Sequence, residues 1–112
     1  MITAPFPEAL SVQDLKLLLD NGVDLTILDV RQPSELTICS LSGCVNLPLT
    51  NLMQNLEQIP RGKPIVVVCH HGVRSRQAAI LLKDQGFENV ANLSGGVHAW
   101  ALHIDPEMPT YE

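Results

Sequence analysis

Short runs of mainly apolar residues recur along this chain, separated by polar turns. Four such runs are Leu25 to Val30, Val45 to Leu47, Ile65 to Val68 and Val90 to Leu93. The run at Ile65 is continuous and mostly β-branched, which is typical of a parallel strand covered on both faces. We therefore predict a strand at each of these four places.

The segments between these runs have the wider spacing of helices. Ser11 and Asp14 fit a capping box, and the helix that they begin carries apolar residues at Val12, Leu15, Leu18 and Leu19. We predict a second helix from about Thr50 to Gln58 and a third from Ser75 that ends at Gly86. Strands that alternate with helices predict an α/β fold.

Composition narrows the class of protein. The chain has 112 residues, 46% of them hydrophobic, which suits one core; we expect a single domain over residues 1–112 with its core at about 10–104. A net charge of −5 without a basic run argues against nucleic acid or an anionic membrane as the main partner.

Location is also suggested by composition. No apolar stretch reaches the length of a membrane span, and Met1 to Leu10 lacks the charged and apolar regions of a signal peptide. Three cysteines, an odd number, fit a reducing compartment. We therefore expect a cytoplasmic protein.

Cys69 stands at the junction between the Ile65 strand and the helix from Ser75. His70 to Arg74 are predicted to form a tight loop, and such a loop before a helix points unpaired backbone N–H groups at one place. Thiols in that position ionise more readily than ordinary thiols, so we expect Cys69 to react as a thiolate. The alternative is a cysteine that only closes the strand, but the neighbouring Gly72 and Arg74 favour a reactive site.

Four segments together resemble the rhodanese family. CHHGVRS, Cys69 to Ser75, is similar to its active-site loop; LDVRQPSEL, SGCVNLPL and LSGGVHAW are similar to its other landmarks and fall in the family's order. The resemblance covers nearly the whole chain. It departs at Cys39, Ser40, Ser42 and Cys44, where the family usually has Gly, His, Pro and Ala.

The resemblance implies a three-layer α/β/α domain with a five-stranded parallel sheet, and a sulfurtransferase that uses no cofactor. Cys69 would attack the outer sulfur of a small anionic donor such as thiosulfate and become a persulfide. Cyanide, a thiol or a protein would then accept the sulfur. The substrate-binding residues are predicted to be His70, His71, Gly72, Val73, Arg74 and Ser75.

Two other functions remain open. A sulfur carrier or interaction module that receives sulfur from a protein partner would have the same sequence. Cysteine phosphatases and arsenate reductases also use a cysteine in an amide cradle closed by an arginine. Related cell-cycle phosphatases have the arginine sixth after the cysteine, whereas Arg74 is fifth after Cys69; this smaller loop favours sulfur over phosphate.

Asp29, Arg31 and Glu35 are predicted to support the structure, with Arg31 paired to a carboxylate that holds the loop after its strand. Gly95 and Gly96 are predicted to have a structural role, because residues without side chains let the backbone pass close to the Cys69 loop.

The other cysteines and histidines are assigned no chemistry. Cys39 and Cys44 are predicted to be small buried residues of a strand segment without a redox role. His98 and His103 are expected to bond locally or face solvent. No metal site is predicted, because the cysteines and histidines lack paired close spacing.

Overall fold

The computed structural model describes residues 6–112. Residues 1–5, part of the segment Met1 to Leu10 in which no signal peptide is expected, lie outside the described residues. The elements in chain order are β1 (Ala9–Leu10), α1 (Val12–Asp20), β2 (Thr26–Asp29), α2 (Pro33–Leu36), β3 (Val45–Asn46), two 3-10 helices (Leu49–Gln54 and Leu56–Gln58), β4 (Ile65–Val68), α3 (Val73–Asp84), β5 (Val90–Leu93) and α4 (Gly96–His103).

The five strands form one sheet in the order β1-β5-β4-β2-β3, and all four pairings are parallel. β4 is central, and every one of its residues is buried. Both the α/β class and the five-stranded parallel sheet are thus confirmed. β1 was not predicted, because Ala9 and Leu10 follow Glu8 and do not belong to a longer apolar run.

Helices cover both faces of the sheet, which makes the three layers. Alternate residues of β4 serve opposite cores: Ile65 and Val67 pack with α3 and the 3-10 helices, and Val66 and Val68 pack with α1 and α4. This alternation is why a continuous apolar run marks a central parallel strand.

The helix predicted from Thr50 to Gln58 is wrong in type, since this segment forms two 3-10 helices. The side-chain amide of Asn55 donates to the carbonyl oxygen of Asn51 at 2.8 Å, and its backbone N–H donates to that of Leu52 at 3.0 Å. An α-helix would instead join the Asn55 N–H to the Asn51 oxygen. Asn55 therefore divides the segment.

The helix α1 begins as predicted. The Ser11 side chain accepts from the backbone N–H of Asp14 at 3.0 Å. Among the described residues, no helix is both long and apolar enough to cross a membrane.

Candidate active site

Cys69 follows β4 directly, at the carboxyl edge of the sheet, and is 1% exposed. The adjacent strands bring Asp29 level with Val68, and Asn92 level with Val67. In parallel sheets, ligands bind beyond this edge. The thiol therefore lies at the edge of the sheet where proteins of this fold class bind ligands, and it is buried beneath the surface.

The loop after Cys69 is shorter than predicted, because α3 begins at Val73 rather than Ser75. Gly72 precedes the helix at φ +106°, a conformation that lets the chain turn at once into the helix. Val73 and Arg74 thus belong to the first helical turn, and Val73 is 70% exposed at the rim of an open groove.

The Cys69 sulfur is held from two sides. The backbone N–H of Gly72 donates to Sγ at 3.0 Å, and the thiol donates to the Ser75 hydroxyl at 3.3 Å. The Ser75 hydroxyl in turn donates to the side-chain carbonyl of Asn92. An N–H donor directed at sulfur stabilises negative charge on that sulfur.

Arg74 contacts a carboxylate. Its two terminal nitrogens donate to the two oxygens of Glu35, at 2.7 and 2.9 Å. These hydrogen bonds lower the pKa of Glu35 to about 2, and they raise the pKa of Arg74. Arg74 is a predicted substrate-binding residue, and in the structure its planar guanidinium already binds both oxygens of Glu35.

Arg31 and Asp29 form a second, fully buried pair. The Arg31 Nη2 donates to Asp29 Oδ2 at 2.7 Å and to the backbone oxygen of Cys39 at 2.8 Å. Burial alone would lower the pKa of Arg31, but its hydrogen bonds with Asp29 raise it above the ordinary value. Arg31 thus joins the Asp29 carboxylate to the backbone oxygen of Cys39, in the chain after β2.

Tyr111 joins the two ion pairs. Its hydroxyl donates to Glu35 at 2.8 Å and accepts from Arg31 at 2.9 Å. Its ring stacks on that of His70, with centroids 3.8 Å apart. The C-terminal segment therefore covers one side of the loop that follows Cys69.

The histidines of the loop differ in exposure. His70 is buried, and burial lowers its pKa, with further lowering from the nearby His71 and His98. His71 and His103 are exposed. His98 departs from the prediction, because it packs against the loop and its buried Nδ1 has no hydrogen-bond partner among the described residues.

The other two cysteines lie before β3 rather than in it. Cys39 is buried and Cys44 is half-buried, and both are free thiols that pack against the same core. Burial raises the pKa of the Cys44 thiol. Both thus pack as small apolar residues, in loops instead of the predicted strand segment.

Three residues that contribute to the site were not identified from the sequence, namely Asn92, His98 and Tyr111. A signal existed for Asn92, since it is the polar residue in the otherwise apolar run of β5. His98 and Tyr111 are distant in sequence from Cys69, and no local pattern connects them with it.

Comparison with known proteins identifies the family. The model of the rhodanese-like domain matches residues 11–103, so the chain belongs to this family. A sulfurtransferase of Allochromatium vinosum is 35% identical over 80 residues, covering 71% of this chain and 75% of that protein. A rhodanese-related protein from Thermoplasma volcanium is 30% identical with a TM-score of 0.78, covering 92% of this chain and 96% of that one.

Longer proteins also match. An adenylyltransferase and sulfurtransferase of Zea mays is 32% identical over 114 residues, covering 96% of this chain but 24% of that protein. The chain spans about a quarter of the length of the first curated relatives that it matches. Relatives of this domain are therefore sulfurtransferases, either small or as part of larger proteins.

Proposed function

We propose that the protein is a sulfurtransferase that moves sulfane sulfur from thiosulfate, or a related small anionic donor, to a thiophilic acceptor through a persulfide on Cys69. The observation that carries this proposal is the single sulfur atom held at 3.0 Å from the backbone N–H of Gly72, at the start of α3. Family membership supports the same class of reaction.

In the first step, the Cys69 thiolate attacks the outer sulfur of the donor. A new S–S bond forms, the donor's S–S bond breaks, and sulfite leaves with the electron pair. Because Cys69 is 1% exposed, a small donor suits the site. In the second step, cyanide or a thiolate attacks the outer sulfur and the Cys69 thiolate leaves.

The loop also bears on the phosphatase alternative. Arg74 is fifth after Cys69, and both of its terminal nitrogens bind Glu35. A phosphate monoester needs donors around three oxygens. The small loop and the occupied arginine favour sulfur as the transferred group.

A second candidate is a sulfur carrier that receives sulfur from a protein partner. It is favoured by the long relatives, whose names combine adenylyltransferase and sulfurtransferase. In a persulfide the outer sulfur lies about 2 Å beyond Sγ, so the atom to be transferred is farther from the backbone than the buried thiol. We also propose a reducing location such as the cytoplasm, because all three thiols are free.

Intact mass after incubation with thiosulfate tests the proposal. The reduced protein should gain one sulfur atom, and cyanide should remove it. Cys69→Ser should gain none, whereas Cys44→Ser, the matched control, should behave like wild type. If Cys69→Ser still gains a cyanide-labile sulfur, the proposal is wrong. If the protein gains a sulfur atom from a protein persulfide but never from thiosulfate, the result would support the sulfur-carrier function instead.

A further inference from the structure

Three imidazoles meet beside the loop that follows Cys69. His70 and His71 belong to the loop itself, and His98 comes from α4. One nitrogen from each ring can be chosen so that all three lie within 4.8 Å of one another. The spacing in the sequence predicted no metal site, but the fold brings His98 to the other two.

The backbone fixes this meeting. The N–H of Val97 donates to the carbonyl oxygen of Cys69 at 2.9 Å, and that of His98 donates to the carbonyl oxygen of His70 at 3.1 Å. A side chain at Gly96 would overlap both carbonyl oxygens. Main-chain hydrogen bonds therefore hold His70 and His98 close together, independently of any contact between their side chains.

Two of the imidazole nitrogens are buried without a partner. His70 is 7% exposed, and neither its Nε2 nor the Nδ1 of His98 has a hydrogen-bond partner within residues 6–112. Buried polar groups are nearly always satisfied, so an orphaned pair requires an explanation. An unprotonated imidazole nitrogen offers a lone pair, which a metal ion can accept.

Aromatic packing explains only part of the cluster. The His70 ring stacks on Tyr111 at 3.8 Å and lies 3.9 Å from that of His71. Stacking uses ring faces, whereas the nitrogen lone pairs lie in the ring planes. The stack therefore accounts for the position of His70 but leaves its Nε2 unsatisfied.

We propose that His70, His71 and His98 form a binding site for a borderline divalent transition metal such as Zn²⁺. Neutral imidazoles suit this class of ion, and three of them leave a fourth position open. Zn–N bonds of about 2.1 Å place tetrahedral ligand nitrogens about 3.4 Å apart, closer than the largest separation here. His71 is exposed, so its ring is free to turn toward the other two.

Titration of the metal-free full chain with Co²⁺ tests this site. We expect one ion per chain, with the visible d–d absorption of a tetrahedral nitrogen site. His71→Ala and His98→Ala should each weaken binding at least about tenfold, since even the loss of an outer-shell partner costs that much. His103→Ala is the matched control and should bind like wild type, because His103 lies outside the cluster.

Cys69→Ser separates this site from the thiol and from the sulfurtransferase proposal. It should retain the one-to-one Co²⁺ complex without a sulfur-to-metal charge-transfer band. Zn²⁺ should raise the melting temperature of this variant, as any ligand specific for the folded state does. Binding lost with Cys69→Ser, or unchanged by His71→Ala, would overturn the proposal. Because His71 is exposed, weaker binding by His71→Ala cannot be attributed to misfolding.

Discussion

Replacing Arg74 by alanine distinguishes two roles for its guanidinium. As a recognition group, Arg74 would steady the charged end of thiosulfate. As a brace, it would only hold Glu35 and the chain around it. The structure places both terminal nitrogens on Glu35, at 2.7 and 2.9 Å, so any donor must share the fork with this carboxylate.

The two roles have different magnitudes. Hydrogen bonds to charged groups contribute about 1.5 to 3 kcal/mol, so loss of recognition should lower kcat/KM for thiosulfate about 10- to 100-fold. The Arg74 and Glu35 side chains are 35% and 19% exposed, and screening by solvent limits the pair's contribution to the free energy of unfolding to about 1 kcal/mol. For a domain of this size that corresponds to a fall in Tm of about 4–8 °C.

The assay is steady-state kinetics with thiosulfate and with an uncharged persulfide donor, alongside thermal melts. If Arg74 recognises charge, Arg74→Ala should impair thiosulfate more than the neutral donor. Glu35→Gln frees the fork and should improve thiosulfate turnover. The double variant Arg74→Ala/Glu35→Gln should recover part of the loss, since it removes the uncompensated carboxylate.

Equal losses on both donors, matched by a lower Tm, would refute recognition. In that case Glu35→Gln should also reduce both activities. Arg74→Lys provides a further control, because an ammonium keeps the charge but not the planar fork, and should restore thiosulfate turnover only in part.

Three further outcomes are expected. The pKa of Glu35 is about 2 in the folded protein against an ordinary 4.5, so ionised Glu35 should stabilise the fold fully above pH 4.5. This contribution to the free energy of unfolding should fall as the pH approaches 2. Acid-unfolding curves should show this slope, and those of Glu35→Gln should lack it. Gly96→Ala should cost about 3 kcal/mol or more in urea unfolding, because the new side chain would overlap two carbonyl oxygens. Gly22→Ala is the control: it has open space at φ +73° against +61° at Gly96, and it should cost about 1–2 kcal/mol. Equal costs would contradict the close approach at Gly96. Ser75→Ala removes the hydroxyl that lies 3.3 Å from the Cys69 sulfur, and it should slow persulfide formation about threefold to tenfold in rapid-mixing experiments. An unchanged rate would mean that this hydroxyl has no part in the reaction.

Local patterns predicted the parts of the protein that depend on neighbours in sequence. The continuous apolar run at Ile65 to Val68 indicated a central strand, because a strand with helices on both sides has no polar face. The same local reasoning placed Cys69 at the strand end before a helix. It was less exact about the start of α3 and failed at Asn55, where a side-chain amide competes with the backbone.

Tertiary structure alone decided which distant groups meet at the site. Nothing near Arg74 in the sequence indicates that Glu35 holds its fork, or that Tyr111 stacks on His70. His98 reaches the loop because Gly96, where two chain segments cross, has no side chain to hold them apart. Strand and helix propensities act over a few residues, whereas these contacts depend on how the sheet orders its strands and where each connection returns.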